Sequence, residues 1–540
     1  MNIKFPENFV WGTSTAATQI ETASEHEWKG EIAKDGHVFE RTAEHEKHRS
    51  EDLQYIIKFG SAYRMSLDWA RLQVAPFAPF SAEVVGEYRA FMAKLQVRNI
   101  HIKLVIHHFT NPKWFVTRGS WENAKNIEAF LDYVKKLCLH FGDFVDSWNT
   151  FNEPAVYLFN SRLLGDFPPH KKNPFLLRKA FKNMSRAHRL SVKILKHLCP
   201  YTPIGMSKNT AIFEGENWLG EKLAKVADKV FMEEITDAFV EGLDYLGISY
   251  YAKIPFSPWP ITEIKQPGKL AEMGRKHDKM WEYYPEGLKE NIKRYWERYK
   301  LPIVITENGI CTDDCEQRIS AIKDYLKQVH ECISEGIDVR GYFHWSTMDN
   351  FEWNLGPTYR FGLVHVDFES GKRSMKKSGL FYQEVVRNNG IFEYMQDEDL
   401  REEGLPTAAF EIENLNLPDE NLEENIVEND SEMSIEEAYK RYEEHEKNEP
   451  EMSIEEAYKK YEKNETEEEI YKTTATSTNN DAELERHIDE QLLSDIQVTR
   501  PENEIDSHEK KDGDENFDTK KTDNENCLLY TSPSPRDIGE

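Results

Sequence analysis

Apolar positions Phe130, Tyr133, Val134, Leu137, Cys138 and Phe141 recur at helical spacing, so the sequence predicts a helix with one buried face. Directly after it, FVDSWNT (Phe144 to Thr150) reads as a strand that runs into Phe151-Asn152-Glu153-Pro154. The unit recurs. Ile319, Ile322, Leu326, Val329 and Ile333 form a second helical face, Gly336 offers a C-terminal stop, and VRGYFHWS (Val339 to Ser346) is the next strand. A third helix, around Val84 to Leu95, precedes HIKLVI (His101 to Ile106) and His107-His108. Strand and helix in alternation predict a parallel sheet with helical crossovers. Eight strands can be placed, starting near Phe9, Ala62, His101, Phe144, Pro203, Tyr245, Pro302 and Val339. Eight such units over about 390 residues predict an α/β fold, a (β/α)8 TIM barrel.

The stretch PIVITENGI (Pro302 to Ile310) ends an apolar, β-branched run on a bare carboxylate, Glu307. In a barrel that ending has a place, because strands are buried along their length and open at the C-terminal mouth, where active sites sit. Other strand ends carry similar chemistry: Gln19, Tyr63-Arg64, His108, Asn152-Glu153, Tyr250-Tyr251, Trp345, and then Asp349-Asn350-Phe351-Glu352-Trp353. Two carboxylates flanked by aromatic faces are what glycoside hydrolysis needs. One is an acid for the leaving oxygen, the other a nucleophile or base at the anomeric carbon, and the flat faces suit sugar rings.

The same motifs carry a resemblance. They are FVWGTSTAATQIE (Phe9 to Glu21), YRMSLDWAR (Tyr63 to Arg71), HHFTNPKW (His107 to Trp114), WNTFNEP (Trp148 to Pro154), ISYY (Ile248 to Tyr251), ITENG (Ile305 to Gly309) and HWSTMDNFEWNLGPTYRFGLVHVD (His344 to Asp367). In this order, over residues 5–385, the chain resembles glycoside hydrolase family 1, the β-glucosidase family. The resemblance implies a retaining β-glycosidase that removes a terminal, non-reducing β-linked sugar through a covalent glycosyl-enzyme, with no cofactor and no metal. It implies Glu307 as nucleophile and Glu153 as general acid and then base, with carboxyls roughly 5–5.5 Å apart. Asn152 would hold the sugar 2-OH, and Arg64 and Tyr251 would keep Glu307 ionised and oriented. Gln19, His108 and Glu352 would bind glycone hydroxyls. Trp345 would floor the sugar, with Trp353, Phe361 and Trp121 nearby; Trp69, Trp114 and Trp148 are read as packing. Two positions depart from the family pattern: Ser249 stands where Asn is usual, and Phe109 follows His108 where Trp is common. Two alternatives stay open. One is a 6-phospho-β-glycosidase, against which a carboxylate at Glu352 argues by repelling a 6-phosphate. The other is a non-catalytic sugar-binding barrel, against which the presence of both glutamates argues.

Composition changes the picture mainly past the barrel. The net charge is −29, nearly all of it beyond residue 400, so acidity says nothing about the substrate. The expected organisation is a catalytic domain over 1–395, an acidic low-complexity tail over 396–526, and a final CLLYTSPSPRDIGE (527–540). That last stretch resembles translated adapter read-through and is given no function. The tail's composition cannot bury a core and reads as disordered. It holds two 19-residue repeats, MSIEEAYKRYE from Met433 and MSIEEAYKKYE from Met452, each opening on a capping box. They read as transient helix in a solvated linker or, alternatively, as docking elements for a protein partner. The six cysteines show no disulfide or metal framework. The first residues lack a basic and apolar leader, and no apolar run approaches the roughly 18 residues of a membrane span. The expectation is a cytoplasmic protein acting on a small-molecule β-glycoside, with no nucleic-acid or membrane partner.

Overall fold

The structure, a computed structural model, describes residues 2–215, 217–256 and 267–393. A short strand β1 (Ile3–Lys4) precedes β2 (Val10–Ser14), β3 (Ala62–Ser66), β4 (His101–His107), β5 (Ser147–Asn152), β6 (Ile204–Gly215), β7 (Tyr245–Phe256), β8 (Ile303–Asn308) and β9 (Val339–Trp345). Three short strands follow: β10 (Val364–Val366), β11 (Arg373–Met375) and β12 (Gly390–Ile391). Strands β2 to β9 pair in sequence order, and β9 closes in parallel on β2. This is the (β/α)8 barrel that the alternation predicts.

Strand starts agree to within one residue except at β5, which begins at Ser147 rather than Phe144. Gly142–Phe144 forms a short 3-10 turn, and the Phe144 ring lies 4.6 Å from the Arg89 guanidinium. An apolar residue is thus covered by a cation in the loop instead of by the sheet. The helix Asn126–Phe141 buries every position of the first periodic face. Cys315–Ser334 buries Ile319, Ile322, Leu326 and Val329, and just past it Gly336 takes φ +87°, a left-handed stop open to glycine.

The barrel floor is packed by Ala62, Tyr245, Val304 and Phe343, with Val10 against them. A lysine also enters the floor: the Lys103 ammonium lies 4.0 Å from the Tyr245 ring centre and donates to Ser147 Oγ at 2.7 Å. The final helix is shorter than Ser374 to Gly390, running Lys377–Asn388, because Arg373–Met375 pairs with β10 as a hairpin. Strand β12 pairs antiparallel with β1, Ile3 opposite Ile391, so the two ends of the barrel are fastened side by side.

The expected tail, its two repeats and the read-through segment lie outside the described residues. Among the described residues, no helix is long and apolar enough to cross a membrane, and no cluster of His, Cys, Asp or Glu could hold a metal ion.

The last barrel strand and the β1–β12 fastening are both complete by Ile391. Removing residues 396–540 is therefore expected to leave Tm, kcat and KM close to those of the full chain. Thermal unfolding and steady-state kinetics on the two forms check this; loss of folding or activity would move the domain boundary.

Candidate active site

Glu307 owes its position to an irregularity in the sheet. Val304 belongs to the floor core, and strict alternation would turn Glu307, three residues on, to the opposite face. The pairing of β8 slips against β7 between Ile248 and Ser249, and against β9 between Ile305 and Asn308. Such a slip re-aims a strand end. Glu307 instead meets Arg64, which is fully buried on β3: Arg64 Nη1 donates to Glu307 Oε1 at 2.7 Å. Tyr251 OH donates to the other oxygen, Oε2, at 2.8 Å. Both oxygens of Glu307 are therefore held.

The guanidinium's second arm, Nη2, donates to Asn152 Oδ1 at 2.6 Å and to Ser207 Oγ at 3.0 Å. With its oxygen turned to the guanidinium, Asn152 must present its amide N–H to His108 Nε2, 2.9 Å away. His108 Nε2 thus accepts, and the ring proton sits on Nδ1, which has no protein partner. Burial first, then the Arg64 charge, hold the His108 imidazolium well below its ordinary range, so the ring is neutral.

Glu153 stands at the N-terminus of the helix Pro154–Phe159, in a left-handed conformation with φ 40°. Pro154 suits the first helical turn, and the strained φ is the kind of backbone found at functional sites. The Glu153 N–H donates to Ser207 O at 2.8 Å, and the buried Oε1 has no protein partner. Burial holds the carboxyl well above the usual carboxylate range, and the negative charge of Glu307 adds to the rise. One acid is thus primed to carry a proton, while the other is paired with a guanidinium. Environments that push two carboxyls apart are how acid and anion roles are assigned.

At the far side, Gln19 Nε2 reaches Asn350 Oδ1 at 3.0 Å, Phe351 O at 3.1 Å and Glu352 Oε2 at 3.2 Å, leaving Gln19 Oε1 buried without a partner. Desolvation first, then the Glu307 charge, push the Glu352 carboxyl up to about 8, while hydrogen bonds from Gln19 and Trp345 pull it down. The Trp345 and Trp353 rings lie 6.0 and 5.9 Å from His108, and Phe361 lies 5.9 Å from Tyr251.

The structure brings together every residue expected at the site except Trp121. The Trp121 ring is fully buried against His107 at 5.5 Å, Phe115 at 5.0 Å, Phe130 at 5.1 Å and Phe151 at 5.8 Å. Neighbours on a strand face opposite ways, so the His107 side is the helix layer and the His108 side is the mouth. Trp121 is packing between strand and helix, like Trp69, which stacks on Tyr133 at 4.6 Å. Two aromatic residues at the mouth were not among the expected ones. Half-buried Trp281 lies 5.6 Å from Tyr251, and Phe109 lies 5.4 Å from His108 and 5.2 Å from Trp353. Trp281 comes from the segment before the helix Glu286–Tyr299 rather than from a strand end, so no periodic signal marks it.

The family model for glycosyl hydrolase family 1 matches residues 1–218 and 218–391. The chain belongs to glycosyl hydrolase family 1. Beta-glucosidase A of Thermotoga maritima is 30% identical over 450 residues, spanning 72% of this chain and 100% of that protein. Among solved structures, the β-glycosidase from Pyrococcus horikoshii matches with a TM-score of 0.66 at 30% identity, covering 73% of this chain and 97% of that one. The family 1 β-glucosidase from Thermotoga maritima in complex with isofagomine lactam matches with a TM-score of 0.66 at 28% identity, covering 72% and 100%. Glycosyl hydrolase family 1 enzymes are retaining glycosidases, and this chain is a retaining β-glycosidase.

Removing Arg64 leaves Glu307 buried without its counter-charge. Arg64→Met is expected to destabilise the fold by about 3–5 kcal/mol, as broken buried pairs do, and to abolish activity. Arg64→Lys cannot span Glu307 and Asn152 with one compact ammonium, so it should rescue little. Denaturant unfolding checks both; near-wild-type stability of Arg64→Met would remove the pair from this role.

Proposed function

We propose that this glycosyl hydrolase family 1 chain cleaves terminal β-glucosides by double displacement, with Glu307 as nucleophile and Glu153 as acid and then base. The observation that carries the reading is the divided setting of the two carboxyls, one paired with Arg64, the other buried with raised proton affinity. In the first step Glu307 attacks the anomeric carbon, the bond to the leaving oxygen breaks, and that oxygen takes the proton of Glu153. Forming the ester removes the Glu307 charge, so the charge contribution to the proton affinity of Glu153 falls away. Glu153 then accepts a proton from water as the water attacks the same carbon and Glu307 departs as a carboxylate. Two inversions give net retention.

Asn152, fixed by Arg64, is placed to hold the 2-OH, and neutral His108 offers its Nδ1–H to a neighbouring hydroxyl. Gln19 Oε1 and the Glu352 carboxyl suit the 4-OH and 6-OH, with Trp345 as floor and Trp353 as wall. Phe361 and Trp281 line the side on which the aglycone departs. The Glu352 carboxyl is pushed up to about 8, so it is only partly ionised near neutral pH. Rejection of a 6-phosphate therefore rests on this desolvated, aromatic setting together with the partly ionised Glu352 carboxyl that the phosphate would face. A cytoplasmic setting is proposed with this activity, supported by five free thiols among the described residues.

Glu307→Ala is expected to lower kcat on an aryl β-glucoside by about 10⁴-fold or more, with azide partly restoring turnover as the α-glycosyl azide. Glu153→Ala should leave intermediate formation from a good leaving group nearly intact and slow its hydrolysis by about 10²–10⁴-fold. A Glu307→Ala variant with ordinary activity, or unchanged deglycosylation in Glu153→Ala, would overturn the assignments.

Glu352→Gln is expected to cut kcat/KM on a glucoside by about 10- to 100-fold and to narrow the preference over the 6-phosphorylated substrate. A panel of aryl β-glycosides reads this. Equal loss on both substrates would remove Glu352 from the 6-position, and a wild type that prefers the phosphorylated sugar would point to a 6-phospho-β-glycosidase.

A further inference from the structure

We propose that the basic face of the helix Pro174–Leu198 is a docking surface for this chain's own acidic repeats, Met433–Glu443 and Met452–Glu462. Between Asp166 and Glu214 the sequence has no acid. Within that stretch the helix buries Ala180, Met184, Ala187, Ser191, Ile194 and Leu195 on its inner side. The outer side is cationic. Arg178, Lys179, Lys182, Arg186, Arg189, Lys193 and Lys196 are every Lys and Arg of the helix. After the adjacent pair Arg178-Lys179 they recur every three or four residues, so they fall on one stripe about 100° wide. Arg178, Lys179, Lys182, Lys193 and Lys196 are exposed, Arg189 is half-buried and Arg186 is buried. From Arg178 to Lys196 the stripe runs roughly 27 Å at the helical rise.

No acid stands three or four residues from these cations along the chain, so the stripe has no neutralising partner within its own helix. Acids on neighbouring elements have other commitments. Asp132 meets Lys136 at 2.8 Å, and Glu122 meets Arg162 at 3.2 Å. Asp244 reaches the floor-side end of the stripe, 3.7 Å from the Lys196 ammonium. Like charges at this spacing repel one another, a standing cost that an anionic partner removes. Exposed rings stand at both ends: Phe175 is 82% exposed, and Tyr201, three residues past the helix, is 86% exposed. The surface is cationic along its length and aromatic at its ends. That suits an acidic segment with an aromatic side of its own.

The repeats fit that description. Residues 401–540 hold 43 acids against 15 Lys and Arg, but acidity alone does not choose the segment. The stretch 411–430 has eight acids and no aromatic residue. Each 19-residue repeat holds seven acids against three Lys and Arg, with two tyrosines three residues apart: Tyr439 and Tyr442, then Tyr458 and Tyr461. Each also opens on a capping box, so a charged surface has only to stabilise a helix whose N-terminus is already specified. The path of the chain permits the contact. The helix Pro174–Leu198 runs back from the mouth to the start of β6, so Lys193 and Lys196 stand on the floor side. The chain leaves the barrel from β12, beside β1, on the floor side too. Thirty-nine residues, 394–432, separate Glu393 from the first repeat. As a flexible chain they span roughly 35 Å, and at full stretch roughly 130 Å. Such a tether holds the repeats at roughly millimolar local concentration, so weak contacts suffice. Exposed ion pairs each contribute little, so docking of this kind leaves Tm and catalysis close to those of the shortened chain.

Millisecond amide exchange followed by mass spectrometry on the full chain tests the docking. The repeats are expected to exchange about five- to tenfold more slowly at about 20 mM salt than at about 0.5 M, while 411–430 changes little. Lys179→Glu, Lys182→Glu and Lys193→Glu together should abolish that protection and leave kcat on an aryl β-glucoside unchanged. Adding Glu436→Lys, Glu437→Lys, Glu455→Lys and Glu456→Lys to the same chain should restore it, since only opposed charges across a contact survive a swap. If the reversed helix does not fold, Lys179→Gln, Lys182→Gln and Lys193→Gln should show the same loss. Protection that survives high salt or the reversal overturns the surface. Protection of 411–430 in place of the repeats overturns the occupant. Protection that falls on dilution assigns the contact to a second copy and overturns docking within one chain. Repeats that exchange at the unprotected rate in every condition overturn the proposal outright.

Discussion

Inside the barrel the Arg64 guanidinium donates to Glu307 on β8, Asn152 on β5 and Ser207 on β6, so one side chain from β3 ties four strands together. A cation so deep is costly to desolvate, and it persists because Nη1 is paired with the Glu307 carboxylate and Nη2 with Asn152 and Ser207. The constraint propagates. Holding the Asn152 oxygen turns its amide to His108, and that fixes which imidazole nitrogen carries the proton. Holding Glu307 as an anion raises the proton affinity of both Glu153 and Glu352. Ser207 relays the guanidinium to Asn149 at 2.9 Å, deeper in β5. Removing the guanidinium would therefore change hydrogen-bond directions and protonation states at residues it does not touch.

The mouth behaves as a collective titrating system. Three carboxyls open into one desolvated space, and the anion on Glu307 discourages the other two from ionising. In the proposed double displacement that single anion passes from Glu307 to Glu153 and back. The protein's task is then less to bind charge than to give it two seats of comparable comfort. Arg64 and Tyr251 furnish the first, and the Ser249 hydroxyl facing Glu153 is suited to the second.

Much of this was legible in the chain. The barrel followed from helical and strand periodicities in alternation, and the acids at the ends of apolar runs, Glu153 and Glu307, announced the mouth. What escaped had physical reasons. The β5 start failed at Phe144 because a cation, not the sheet, covers the ring. Trp121 failed because one dimension cannot tell the two faces of a strand apart once a loop intervenes. The slip that aims Glu307 depends on register with both neighbours, which no single strand encodes. Trp281 reaches the mouth from a loop, where no periodic signal marks it.

The short β1–β12 fastening has a consequence for the order of the chain itself. With Ile3 opposite Ile391, the barrel is a ring in connectivity as well as in space. Its linear order records only where the ring happens to be cut. A circular permutant joined across that pair and reopened in the exposed turn at Lys171 and Lys172 would keep every strand neighbour and every cross-strand hydrogen bond of Arg64. Retention of the sugar's configuration belongs to the closed ring rather than to any reading direction along the polypeptide.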